Sequence, residues 1–163
     1  MTPISERRGE RRRVAPRQTA CLVSLNDLAG RRPRALANAE TLDLGGRRVR
    51  YIDTPHVPHA WESGPIFEEI SGTLCCGDLF AQIGDGPAIT TDSILAAAIA
   101  AENTFQSSVL TPATETNIRM LAALKPSRLA VMHGSRCAGD CAAAPSGLAA
   151  YKEGAPAART AGR

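Results

Sequence analysis

At 163 residues and 17.2 kDa, the chain is one domain at most and is long enough for a real core; 44% hydrophobic and 21% charged residues is a globular composition. No apolar run approaches the roughly 20 residues that a bilayer span needs, and 4% aromatic content argues against a base-stacking surface. The net charge of +3 hides an asymmetry, with 12 Arg against 5 acidic residues in 1–50 and a net acidic remainder. No apolar segment of signal-peptide type is evident at the N-terminus, and the five cysteines are not spaced as a disulfide scaffold, so a reducing cytoplasm and no membrane contact are expected.

Residues 1–19 read as a disordered basic tail, with Arg7, Arg8, Arg11, Arg12 and Arg13 interleaved with Glu6, Glu10 and Pro16. Such a run is more often a solvated tail than a nucleic-acid-binding arm, so nucleic acid is an open but disfavoured partner. ACLVSL (20–25) is a short apolar run, and Gly30 and Pro33 break the polar stretch 26–40 into a loop with one helical turn. Gly45-Gly46 between alternating runs predicts a hairpin over 40–53, and Ser71-Gly72 predicts a second one joining PIFEEI to TLCCGD. A Gly/Pro loop follows Asp78. Thr90 or Thr91 then starts a helix to about residue 106, and a second helix runs from Pro112 to Leu124, with Ile118, Leu121 and Leu124 at helical spacing. RLAVMH (128–133) reads as a short buried strand. A last helix after Asp140 is expected to be interrupted at Pro145 and Gly147, and 153–163 to fray. This order is an α/β layer pattern, with helices on one face of a sheet.

The residues suited to chemistry sit at the predicted strand ends, where loops carry function on a rigid scaffold. His56 and His59 follow the strand ending at Asp53, Asp78 follows TLCCG, and His133 closes the last apolar run. Neutral imidazole and carboxylate are metal ligands, but each residue also has a plainer reading. His59 could be structural or solvent-exposed, Asp78 a turn cap beside Gly77, and His133 a hydrogen-bonded rim residue. Cys75 and Cys76 point to opposite faces of a strand and read as inert thiols. Cys137 and Cys141, with C-x3-C spacing near His133, are a weaker candidate for a Cys/Cys/His site.

The runs IDTPHVPHAWESG, FEEISGTLCCGDLF and LAVMHG together resemble the metallo-β-lactamase fold superfamily, in particular its flavodiiron and oxygen-binding di-iron branch. The resemblance spans roughly residues 40–140. It implies an α/β fold, half of a four-layer αββα sandwich whose mainly antiparallel sheet is covered by helices on one face, with a truncated domain over 20–152. It further implies metal ligation by His59, Asp78 as the bridging aspartate, and His133, with His56 and Trp61 behind them. The family's H-x-H-x-D-H cluster has no counterpart, since no histidine precedes His56. The expectation is therefore a metal-dependent hydrolase-like or di-iron-type protein with an incomplete dinuclear site, reduced or no activity alone, and zinc or iron bound below family stoichiometry. The alternative is a non-catalytic truncated relative that binds a partner protein, or nucleic acid through its Arg-rich tail. With half the fold, Val49, Tyr51, Ile66, Ile70, Leu74 and Leu129 cannot all be covered by helices, so a homo-oligomer through the uncovered sheet face is expected.

Overall fold

The computed structural model describes residues 14–16, 34–59, 63–139 and 141–154. The chain divides into two compact units, residues 1–38 and 39–163. In the first, β1 (Val14–Pro16) and β2 (Arg34–Leu36) pair in parallel. Both strands fall where the sequence suggests tail and loop, because three residues are too few to show a period-2 pattern. The run 20–25 and most of the basic tail lie outside the described residues.

The second unit is built on a mixed sheet. Its strands are β3 (Thr41–Asp43), β4 (Arg48–Tyr51), β5 (Ile66–Glu68), β6 (Thr73–Gly77), β7 (Ile89–Thr90), β8 (Arg128–Val131) and β9 (Arg136–Ala138), in spatial order β3-β4-β5-β6-β8-β9-β7. The helices are α1 (Leu95–Phe105), α2 (Thr114–Ala123) and α3 (Ala143–Gly154). Both predicted hairpins form. In the first, the Asp43 carboxylate accepts from the amides of Gly45 and Gly46 at 2.8 and 2.7 Å, and both glycines hold positive φ. In the second, Glu68 accepts from the amides of Ile70 and Ser71 and from the Ser71 hydroxyl. These bonds hold its carboxyl below the ordinary carboxylate range.

Cross-strand register lines up one apolar row, Phe67–Leu74–Leu129–Cys137, across β5, β6, β8 and β9. Ile118 and Leu121 from α2, Leu148 from α3 and Ala98 from α1 join it in one core. Each fully buried leucine or isoleucine contributes about 1.5–3 kcal/mol by leaving water. Arg50 closes the row at its β4 end, 5.8 Å over the Phe67 ring. Of the other apolar sheet residues, Tyr51 is buried and Val49 half-buried, while Ile66 and Ile70 are 37% and 64% exposed.

Two local expectations need correction. The last helix is continuous through Pro145 and Gly147. Pro145 lies in its first turn, where a backbone N–H has no intrahelical partner to lose. Gly147 is a packing contact, since a Cβ there would lie 2.3 Å from a Leu95 methyl carbon of α1. The short β7 and β9 were not expected, and β9 pairs antiparallel to β8.

Cys75 is exposed, and Cys76 is buried behind it. Burial, and then the Glu68 charge, raise the Cys75 thiol; burial, and then Cys75, raise Cys76 much further. A raised thiol pKa means less thiolate at neutral pH. In peptide-mapped alkylation of the native chain, Cys75 should react more slowly than a free cysteine at pH 7.5 and accelerate as pH rises, with Cys76 labelled only after unfolding. Fast labelling of Cys76 in the folded chain would contradict this packing.

Candidate metal centre

Strand direction brings the predicted residues to one edge. β6 and β8 are parallel neighbours with Gly77 opposite Val131, so Asp78 and His133 both leave the sheet at the same end. β4 lies two antiparallel steps from β6 and therefore runs the same way, which sends residues 52–59 out at that end too.

The 52–59 loop is then sewn down by its backbone. Thr54 is fully buried; its hydroxyl donates to the Val57 carbonyl at 2.8 Å and its amide to Ser63 at 2.8 Å. Asn117 donates to the Pro55 carbonyl, the Val109 amide to the His56 carbonyl, and the His59 amide to the Ser107 carbonyl. His59 also forms an isolated parallel bridge with Ser108. The left-handed Gln106 at the end of α1 turns the chain to supply this second strand-like segment.

The side chains meet on one carboxylate. His59 Nε2 lies 2.8 Å from Asp78 Oδ2, and His133 Nε2 lies 3.3 Å from Asp78 Oδ1. The second contact lacks hydrogen-bond geometry, and Oδ1 is a buried oxygen with no hydrogen-bond donor among the described residues. Each ring nitrogen closes on its own carboxylate oxygen, and among the described residues no group of three or more His, Cys, Asp or Glu is arranged around a common point to hold a metal ion.

His56 holds the loop through its backbone; its Nδ1 is buried with no hydrogen bond among the described residues, and its side chain does not line the cavity beside Asp78. Trp61 lies outside the described residues. Cys137 and Cys141 are joined as a disulfide, so they offer no pair of thiolates for a Cys/Cys/His site.

His59, Asp78 and His133 line a cavity of about 430 Å³ whose other walls include Phe80, Ala98, Ala101 and Leu148. One wall residue, Glu102, was not singled out in the sequence. It accepts from the Ser107 hydroxyl at 2.6 Å, the Ser108 amide at 3.0 Å and Lys152 Nζ at 2.6 Å. Both charged side chains of the Glu102–Lys152 pair are under a tenth exposed. Its signal was available, because Glu102 falls at helical spacing from Ala98 and Ala101, on the buried face of α1.

No protein-family model matches the chain, and no curated protein matches it. Its architecture does match solved structures. The apo chemotaxis sensor ODP from T. denticola aligns with TM-score 0.66 and 14% identity over 88% of this chain and 59% of that one. Rubredoxin oxygen:oxidoreductase from the anaerobe Desulfovibrio gigas aligns at 0.63 and 19% over 82% and 35%. A mutant flavo di-iron protein from Thermotoga maritima aligns at 0.66 and 16% over 89% and 36%. The chain therefore has the α/β fold of these proteins, the fold that its motifs resemble, and spans between about a third and three-fifths of the length of these structures.

Removing one partner of a buried ion pair strands the other charge, at a typical cost of about 3–5 kcal/mol. Lys152→Met should therefore lower the unfolding free energy by about 3 kcal/mol or more in urea denaturation, and Glu102→Gln/Lys152→Met together by less than the sum of the two single changes. A loss under about 1 kcal/mol for Lys152→Met would show that Glu102 is not held by this pair.

Proposed function

We propose that the chain binds a divalent cation through His59, Asp78 and His133, and that it is a metal-dependent hydrolase-like or di-iron-type module whose dinuclear site is incomplete. The observation that carries this is the Asp78 carboxylate, with a different histidine against each oxygen and Oδ1 buried without a hydrogen-bond donor among the described residues. Buried polar atoms are normally satisfied, and a cation is the partner that suits a carboxylate oxygen flanked by imidazoles.

Ligand arithmetic sets the stoichiometry. Two imidazoles and one carboxylate would give a single ion three protein ligands, the number usual in a catalytic zinc site, once the rings turn from the separate carboxylate oxygens they face to a common point. Shared between two ions, they leave each with the carboxylate and one histidine. The proposed state is therefore one ion per chain, below the stoichiometry of a dinuclear centre. His/carboxylate donors suit zinc and iron alike. The structural neighbours are named as a sensor studied as a peroxy diiron species, an oxygen oxidoreductase and a flavo di-iron protein, which favours iron and a small oxidant over zinc and hydrolysis. A bound cation would supply Lewis-acid activation of water or, as iron, redox chemistry. The chain's own part is to place the Asp78 carboxylate between His59 and His133, and to border them with the mostly apolar cavity wall of Phe80, Ala98, Ala101 and Leu148.

Anaerobic equilibrium dialysis against Fe²⁺, and a parallel titration with Zn²⁺, test the reading. One ion per chain is expected, with affinity lowered at least tenfold by Asp78→Asn, since even residues behind a ligand typically contribute 10–100-fold. Unchanged binding in Asp78→Asn, or no binding by the native chain, would reject it.

A further inference from the structure

We infer that Gln82 is the positioning residue that sets where His133 stands; the inference rests on the metal-centre reading above and extends it to a residue that holds no metal itself. Among the three candidate ligands His133 is the least packed, its side chain 66% exposed against 34% for His59 and 26% for Asp78. With most of its side chain open to solvent, packing does little to fix its ring. Its place follows from the backbone of the turn after β8, and Gln82 grips that turn at three points. The Gln82 amide donates to the His133 carbonyl at 3.0 Å. Gln82 Nε2 donates to the Ser135 carbonyl at 2.9 Å, and Gln82 Oε1 accepts from the Ser135 amide at 3.2 Å.

The side chain matches its task. A primary amide carries a donor and an acceptor in one plane, so it can satisfy both the N–H and the C=O of a single peptide residue. Ser135 is 6% exposed, so these backbone groups are shielded from water and leaving them unpaired is costly. Gly134 lies between the gripped residues with φ +100°. A Cβ there would come within 2.6 Å of Gln82 Cβ and 2.9 Å of Cδ, so the glycine is what lets the Gln82 chain lie against the turn. Gln82 is also tied to the carboxylate it serves. It follows the turn closed by the bond from the Ala81 amide to the Asp78 carbonyl at 3.1 Å. One residue thereby links the turn that carries Asp78 to the turn that carries His133.

The test uses the full chain with Gln82→Met, which keeps the length and apolar packing of the side chain and removes both amide bonds. In the metal-free protein at fixed pH, hydrogen exchange at the Ser135 amide should accelerate and the His133 ring resonances should move, while those of His59 hold. Zn²⁺ affinity should fall by about 10–100-fold. In a His133→Ala background Gln82→Met should change Zn²⁺ affinity no further, because it acts through His133. A merely structural role predicts an equal loss with and without His133, and that result overturns the inference, as does native-like Zn²⁺ binding by Gln82→Met. If the native chain binds no Zn²⁺, the metal-centre reading fails separately, and unmoved His133 resonances in the metal-free variant overturn the positioning role. Should Gln82→Met not fold, Gln82→Glu replaces it, since it keeps the acceptor for the Ser135 amide but loses the donor to the Ser135 carbonyl; it is judged on the metal-free resonances alone.

Discussion

The site depends on one carboxylate placed between two imidazoles. Asp78 lies at the C-terminal end of β6, and neither histidine is near it in sequence. What makes the meeting possible is strand direction. A parallel β6–β8 pair delivers Asp78 and His133 to the same sheet end, and two antiparallel steps back to β4 deliver His59 there as well. Reversing any one of those strands would move a ligand candidate to the far edge of the sheet. The sheet topology is thus the first determinant of the site, ahead of the identity of the side chains themselves.

Loops at a sheet end are mobile unless something holds them, and this chain uses buried polar groups to do so. Glu102 reaches out of α1 to the Ser107–Ser108 segment, which in turn bridges to His59; Lys152 from α3 neutralises the acid from behind. Gln82 does the corresponding work for His133. The two anchors differ in kind. The ion pair is stabilising only while both partners are present, because either charge alone in that environment carries a large desolvation cost. The amide of Gln82 is neutral and is satisfied by backbone on both sides, so it fixes geometry at little electrostatic risk.

Much of this was legible in the sequence. The hairpins announced themselves through Gly45-Gly46 and Ser71-Gly72, and α2 through the helical spacing of Ile118, Leu121 and Leu124 after Pro112; α1 was expected to start at Thr90 or Thr91, but Thr90 ends β7 and the helix begins at Leu95, with Ile94 as its N-cap and no side-chain cap. His59, Asp78 and His133 stood at predicted strand ends, and the wording around them resembled a fold that the structural matches bear out. Other features were not legible, for physical reasons. A two- or three-residue strand such as β7 or β9 has too short a pattern to detect, and its pairing is decided by neighbours distant in the chain. Pro145 and Gly147 look like breakers in isolation, yet one falls in a first turn and the other under Leu95. Gln82 gives no sequence signal at all, because its value lies in two backbone groups 53 residues away. Glu102 was visible as an acid on an apolar face, but its partner Lys152 could be named only once α1 and α3 were seen packed together.

Anomalous diffraction from crystals grown with Zn²⁺ tests the central claim most directly. The account predicts one anomalous peak per chain, with a nitrogen of His59, an oxygen of Asp78 and a nitrogen of His133 each at about 2.0–2.2 Å from it. Crystals that show no peak there at millimolar Zn²⁺, with both rings still facing the Asp78 carboxylate, would contradict it.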